Sequence, residues 1–320
     1  MNLALLKRIA VAFSFLISST LVQAQTFPAS TVRIVVPSAA GGPLDIVARG
    51  VADRLTQRFK HPVIIENRPG AGGNVGALFV SKAAPDGYTL LLCLGTTLTI
   101  NPSIYDGLQF DLKPVSILTS ASQMLVVNTK VPATNIAEFI TWAKENQPIF
   151  YGHSGNGSPS HLVMEYFRMK AGFATSPIPY GGSAPLVIDL IGGQYNVAFG
   201  ATVGLVPFVN EGKLRALAVS SKRRSNLAPD VPTVAEAAFP GFRLENDFIL
   251  LAPGKTPIAI INALEEAVRD ELKNENLRDI FERQDIRVVA STSEEATIRI
   301  AEDATLWGGV VKEIGLKGGQ

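Results

Sequence analysis

The chain has 320 residues, of which 47% are hydrophobic and 18% charged, with a formal net charge of +1. The length suggests two domains, and the composition is that of a globular protein, not a disordered or fibrous one. No basic stripe is present to neutralise phosphates, so nucleic acid is not an expected partner. The one cysteine excludes an internal disulfide.

Lys7 and Arg8 precede an apolar run over residues 9–21, and Val22-Gln23-Ala24 follows with small residues where a signal peptidase reads. This pattern is that of a secretory signal peptide over residues 1–24, with the mature chain starting at Gln25 in the periplasm. The run falls short of the roughly 20 residues that span a bilayer, and no cysteine nearby offers a lipid attachment point. Loss of Lys7 and Arg8 would leave a charge of about −1, from the same residue counts.

Residues 32–36 read as a strand, and from Pro43 the residues Leu44, Val47, Ala48, Val51 and Leu55 recur on one helical face. Residues 62–66 give a second strand, 76–84 a helix and 88–94 a third strand, with Cys93 a small buried hydrophobe. This β-α-β-α-β succession predicts a parallel sheet covered by helices. A strand at 124–128 opens the middle portion. A helix over 136–145, a strand at 149–151 and a helix over 160–171 follow, then helical pieces at 186–191 and 205–209 and a strand at 214–219. The polar, Pro-bearing stretch 220–232 reads as an exposed crossover. A strand at 248–252, two amphipathic helices within 257–281 and a last helix over 294–314 complete the chain. The expected fold class is therefore α/β, with two lobes around a cleft. Residues 25–122 form the first part of domain 1, 123–229 domain 2, and 230–320 the return to domain 1. The crossovers, near Ser122 and Asp230, would form the hinge.

Three Gly-rich loops sit between strands and helices. In the first, Ser38, Ala39, Ala40, Gly41 and Gly42 lead to Pro43, which suits the first helical position, and Asp45 falls in the first turn. Free amides at such a helix start favour a carboxylate or phosphate. The second loop holds Gly70, Gly72, Gly73, Asn74 and Gly76, a loose dinucleotide-like spacing. The next strand ends in Cys93-Leu94-Gly95, without the acidic residue that would bind a ribose. The third runs from Gly152 through Ser154, Gly155, Asn156, Gly157 and Ser158 to His161. A further polar turn holds Tyr180, Gly182 and Ser183. Ser154, Ser158 and His161 raise an exported hydrolase as an alternative. The sequence around Ser154 lacks the final glycine of a nucleophile elbow, and a packed His161 is the simpler reading. His61, His153 and His161 show no metal-like spacing.

The ordered set of loops resembles one family over nearly the whole mature chain. Residues 37–45 (Pro-Ser-Ala-Ala-Gly-Gly-Pro-Leu-Asp) resemble its first-loop motif, and residues 63–74 (Val-Ile-Ile-Glu-Asn-Arg-Pro-Gly-Ala-Gly-Gly-Asn) its second. The motifs at 84–90, 154–162, 179–185, 212–219, 229–236 and 250–253 follow in order. The chain is thereby similar to the Bug-type periplasmic receptors of tripartite tricarboxylate transporters. The resemblance implies a two-domain, type II-like Venus-flytrap binding protein without enzymatic activity, cofactor or metal. It would capture a small organic carboxylate for membrane transporter subunits, or, as an alternative, for a signalling partner. A monomer is expected. Carried over by position, the ligand contacts are Ser38, Ala39, Gly41, Gly42, Gly73, Asn74 and Thr96 in the first domain. In the second they are Ser154, Asn156, Gly157, Ser158, Tyr180, Gly182 and Ser183. Many relatives carry an aspartate in the region that reads Ala198-Phe199-Gly200-Ala201-Thr202 here, where Gly200 supplies no acid, which argues against an amino-acid ligand. Ser38 likewise replaces an aromatic residue found in many relatives.

Overall fold

The computed structural model describes residues 27–316; the expected signal peptide lies outside them. Three parallel strands open the fold: β1 (Val32–Val36) lies between β2 (Val63–Asn67) and β3 (Thr89–Leu94). Apart from Arg33, β1 is buried on both faces, and so is most of β3, as parallel strands covered by helices require, whereas the edge strand β2 is only partly buried. Helix α1 (Pro43–Phe59) buries Leu44, Val47, Ala48, Val51 and Leu55 against one face. Helix α2 (Asn74–Ser81) buries Ala77 and Val80 on the other. Two short helices, α3 (Gly95–Thr99) and α4 (Asn101–Ile104), follow β3. Their few residues carry no helical periodicity in the sequence.

The organising element is β4, which runs from Leu112 to Asn128, far longer than the expected strand at 124–128. Over Leu112–Ser122 it pairs antiparallel with β9 (Glu245–Pro253), which in turn pairs with β3. From Gln123 onward it pairs instead with β7 (Val197–Ala201) and β8 (Leu214–Val219). One strand thus belongs to two sheets, and the change of partner falls between Ser122 and Gln123. In the second sheet β5 (Ile149–His153) lies parallel between β6 (Thr175–Pro179) and β7. Helices α5 (Ile136–Glu145) and α6 (Pro159–Ala171) pack Phe139, Leu162, Val163 and Phe167 into one core on this sheet. Helices α7 (Ser183–Gly192) and α8 (Thr202–Asn210) pack Leu186, Leu190 and Leu205 into another.

The expected return to the first lobe near Asp230 moves to Glu245. Val234, in the short helix α9 (Val234–Ala237), together with Phe242 and Leu244, is packed in the core of the second sheet, and β9 joins the first sheet only from Glu245. Helices α10 (Ile258–Glu271) and α11 (Glu275–Glu282) then cover α1 and the first sheet. The short strand β10 (Ile286–Val288) pairs with β4. The last helix, α12 (Ser293–Glu313), serves both lobes. Ala296 and Ile300 pack on the first sheet, while Trp307, Val310 and Val311 are buried in the second lobe's core.

Candidate ligand-binding site

The strand register sets the two groups of loops face to face. Leu94, the last residue of β3, lies opposite Phe248, which lies opposite Thr119 of β4. Ala201, the last residue of β7, lies opposite Gln123. The carboxyl ends of both parallel triplets therefore point to the place where β4 changes sheets. Crevices at such strand ends are where open α/β sheets bind ligands.

Most of the helices that start at these strand ends lack a side-chain cap; α6, capped by Ser158, is an exception, and α10, which starts elsewhere, is also uncapped. Helices α5, α9, α11 and α12, away from the strand ends, each start with a side chain that accepts a backbone amide: Asn135, Thr233, Asn274 and Thr292. Helices α1, α2, α7 and α8, which start at the strand ends, have no side-chain cap; their N-cap residues are Gly42, Gly73, Gly182 and Ala201. The first-turn amides of these four helices keep their partial positive charge.

In the first loop Ala39, Ala40 and Gly41 are exposed and Ser38 and Gly42 half-buried. Asp45, expected among the ligand contacts, is instead turned inward and is 2% exposed. Its carboxylate accepts from the Gly41 amide at 2.9 Å, Arg49 Nε at 2.8 Å and Asn67 Nδ2 at 2.9 Å. Burial alone would raise its pKa, but the hydrogen bonds from Arg49, Gly41 and Asn67 outweigh it and leave the group at about 2. Asp45 braces the loop, and the backbone of residues 38–42 forms its outer surface.

The second loop turns through a 3₁₀ segment, Ala71–Gly73, with φ of +46°, +63° and +97°. Asn101 Nδ2 donates to the Gly72 carbonyl at 3.0 Å and to Asn74 Oδ1 at 2.6 Å. The Asn74 side chain is thereby buried beneath the loop it was expected to present. A Cβ at Gly73 would lie 2.8 Å from Thr97 Oγ1, so that position needs glycine for space as well as for φ. Thr96 is half-buried, one residue into α3.

In the third loop Ser158 caps α6, its Oγ accepting from the His161 amide. Ser160 Oγ lies 3.0 Å from the hydroxyls of both Ser154 and Ser158 and accepts from the Ser154 amide. His161 Nδ1 accepts from the Gly157 amide at 3.1 Å, and its ring stacks on His153 at 4.2 Å. Burial and the neighbouring His153 lower its pKa to about 4. A neutral imidazole whose acceptor nitrogen is held by a backbone amide is a structural part of the loop. Asn156 is exposed. Gly157 has φ +71°, and its missing Cβ would face Ile104 Cδ1 and Leu316 Cδ2 at 3.6 Å. It therefore sits where the second lobe meets α4 and the end of the chain. Tyr180 donates its hydroxyl to Asp189 Oδ2 at 2.9 Å; burial and that carboxylate push its pKa up to about 12. Gly182 at φ +129° turns the chain into α7, with Ser183 exposed at its first position.

Ser154, Ser183 and Gly200 meet around one cavity of about 580 Å³ at the carboxyl end of β7. Its wall is apolar: Leu186, Val187 and Ile188 from α7, Leu205 and Phe208 from α8, and Phe199 from β7. The remaining expected contacts, in the first lobe and at Asn156, Gly157, Ser158, His161, Tyr180 and Gly182, do not line it. Two lining polar residues, Ser160 and Gln123, were not foreseen. Gln123 carries no sequence signal, because its position at the change of sheets is a property of topology. Among the described residues no group of three or more His, Cys, Asp or Glu is placed to hold a metal ion. No helix there is long and apolar enough to cross a membrane.

Known proteins share this architecture. Protein BugT of Bordetella pertussis is 35% identical over 302 residues, covering 92% of this chain and 93% of its own. The structure of R. palustris Rpa4515 with adipate superposes with a TM-score of 0.76 at 29% identity, covering 91% of this chain and 99% of that one. MatC (Rpa3494) from Rhodopseudomonas palustris with bound malate gives 0.72 at 30% identity, covering 89% and 100%. The model of the tripartite tricarboxylate transporter family receptor matches residues 47–316. With two lobes sharing one long strand and a match over most of its length, this chain belongs to the tripartite tricarboxylate transporter receptor family.

Proposed function

We propose that this protein is a periplasmic receptor that captures a small organic carboxylate between its two lobes and presents it to membrane subunits of a tripartite transporter. The observation that carries the reading is the convergence of four helix starts without side-chain caps on the crossing of β4. Such amides favour an anion without a lysine or arginine clamp. The adipate and malate bound by the two similar structures are of this chemical class. Export follows from the signal-peptide pattern, and the receptor is proposed to act as a monomer and to catalyse no reaction.

Ser38 to Gly42, Gly73, Asn74 and Thr96 belong to one lobe, and Ser154 to Ser158, Gly182 and Ser183 to the other. A ligand touching both favours the closed arrangement by its difference in affinity for the two states. The lobes are proposed to change partner at Ser122–Gln123 and at Leu244–Glu245, with α12 as a third connection. Thermal-shift titration tests the reading. A carboxylate at 100 times its dissociation constant should stabilise the fold by about 2.7 kcal/mol. Shifts with neutral sugars or peptides and none with organic acids would overturn it.

A further inference from the structure

The cavity of about 580 Å³ in the second lobe contains no titratable side chain among its lining residues. It does contain an unused polar group. Gln123 is 4% exposed and lines the cavity. Its backbone pairs with Ser220, but its carboxamide makes no hydrogen bond with any described residue. Its carboxamide atoms are not among the fully buried unpaired side-chain atoms of the described residues, so they open onto the cavity. A carboxamide held in that state beside an accessible cavity is poised for a partner that enters from outside. The rest of the wall is suited to an apolar body. Leu186, Val187, Leu205 and Phe208 supply it, and Ile188, 68% exposed, extends it toward solvent.

We propose that the ligand of this receptor is a monocarboxylate with an apolar aliphatic or aromatic body, and that Gln123 is a specificity-determining residue that donates to its carboxylate. The inference rests on the carboxylate reading above and narrows it. The ligand carboxylate sits at the uncapped starts of α7 and α8, beside Gln123, Ser154 and Ser160, and its body fills the space between those two helices. A second carboxylate further along would lie against leucine, valine and phenylalanine side chains with no cation to pair it and would lose part of its hydration there. Gly200 and Gly204 keep the body's space open. A Cβ at Gly200 would meet Leu205 Cδ1 at 3.0 Å, whereas one at Gly204 meets nothing within 4 Å.

Calorimetric titration of the mature protein with butyrate, hexanoate, adipate and succinate at pH 7 tests this. Hexanoate should bind about fifteenfold more tightly than butyrate, at about fourfold per buried methylene. Hexanoate should also bind at least tenfold more tightly than adipate, which differs only in a terminal carboxylate. Gln123→Glu, nearly isosteric but charged, should weaken hexanoate at least thirtyfold. Gly204→Leu, at an exposed helical position where the new side chain would enter the space for the ligand's body, should weaken hexanoate at least tenfold. Adipate or succinate binding more tightly than hexanoate would overturn the monocarboxylate assignment and leave the carboxylate reading standing. Unchanged affinity in Gln123→Glu would overturn the role of that residue. Binding of none of the four acids would overturn the carboxylate reading and this inference with it.

Discussion

Mild acid should weaken this fold through His161, and the size of the effect follows from its surroundings. Burial and the neighbouring His153 lower the pKa from 6.5 to about 4. The unfolded chain takes up this proton near pH 6.5, whereas the folded chain resists until about pH 4. Across that window the unfolded state binds more protons, so stability falls as the pH drops through it. Between pH 7 and pH 5 the loss from this group is about 2 kcal/mol. Asp247 works in the opposite direction: burial raises its pKa from 3.8 to about 6, against the pull of Arg299. Its protonation in the folded state over the same interval returns about 1 kcal/mol. The pH profile of the wild type therefore mixes opposing contributions, and the difference from a variant isolates His161. In His161→Asn the side-chain oxygen can still accept the Gly157 amide that now lies 3.1 Å from Nδ1, but nothing titrates. In urea unfolding at pH 7 and pH 5 the variant should lose about 2 kcal/mol less than the wild type. Equal losses in the two proteins would refute the assignment of His161 as a buried neutral acceptor.

Asp45→Asn should lower stability by about 2 kcal/mol at pH 7, because it removes a carboxylate whose pKa the fold depresses. The wild-type contribution is present above pH 3.8 and lost as pH falls toward 2, so urea midpoints of the two proteins should converge in strong acid. Gly157→Ala should cost about 1–2 kcal/mol for placing a Cβ at a left-handed φ. Its Cβ faces Ile104 and Leu316, so calorimetry should find ligand affinity within threefold of wild type. A large affinity loss with an unchanged melting temperature would place Gly157 at the ligand instead.

What could be read from the sequence and what could not divide along a physical line. The first lobe was legible because its signals are local. The alternation of β1, α1, β2, α2 and β3 is written in apolar periodicity, and Pro43 and the glycines at 70–73 mark the turns. The second lobe was less legible, since β6 and β7 are short and carry weak patterns. Thr175–Pro179 has two prolines, admissible because β6 lies at the sheet edge and pairs only with β5. The length of β4 was hidden by its own sequence, where Lys113, Pro114, Ser116 and Ser120 read as loop. They are tolerated because β9 supplies the pairing and Ser291 and Asp247 satisfy the serine hydroxyls.

The candidate site shows the same limit more sharply. Gly-rich loops are recognisable because glycine is needed where the backbone turns through positive φ, and so the turns at 38–42, 70–73 and 154–157 were legible as loops. Composition could not show that Asp45, His161 and Tyr180 spend their polar atoms inside those loops, on Arg49, Gly157 and Asp189. A polar residue near a glycine reads the same whether it holds the loop or faces a ligand; the partner decides, and the partner is set by tertiary structure. Gln123 is the converse case. It follows Ser122 in an unremarkable strand and gains its position only because β4 leaves one sheet and enters the other at that residue. A residue at that crossing faces the carboxyl ends of strands from both lobes while its backbone remains locked in a ladder. On the proposal that Gln123 donates to the ligand, its rigid placement at the change of sheets would couple recognition to geometry, since a ligand paired there would lie beside both parallel triplets.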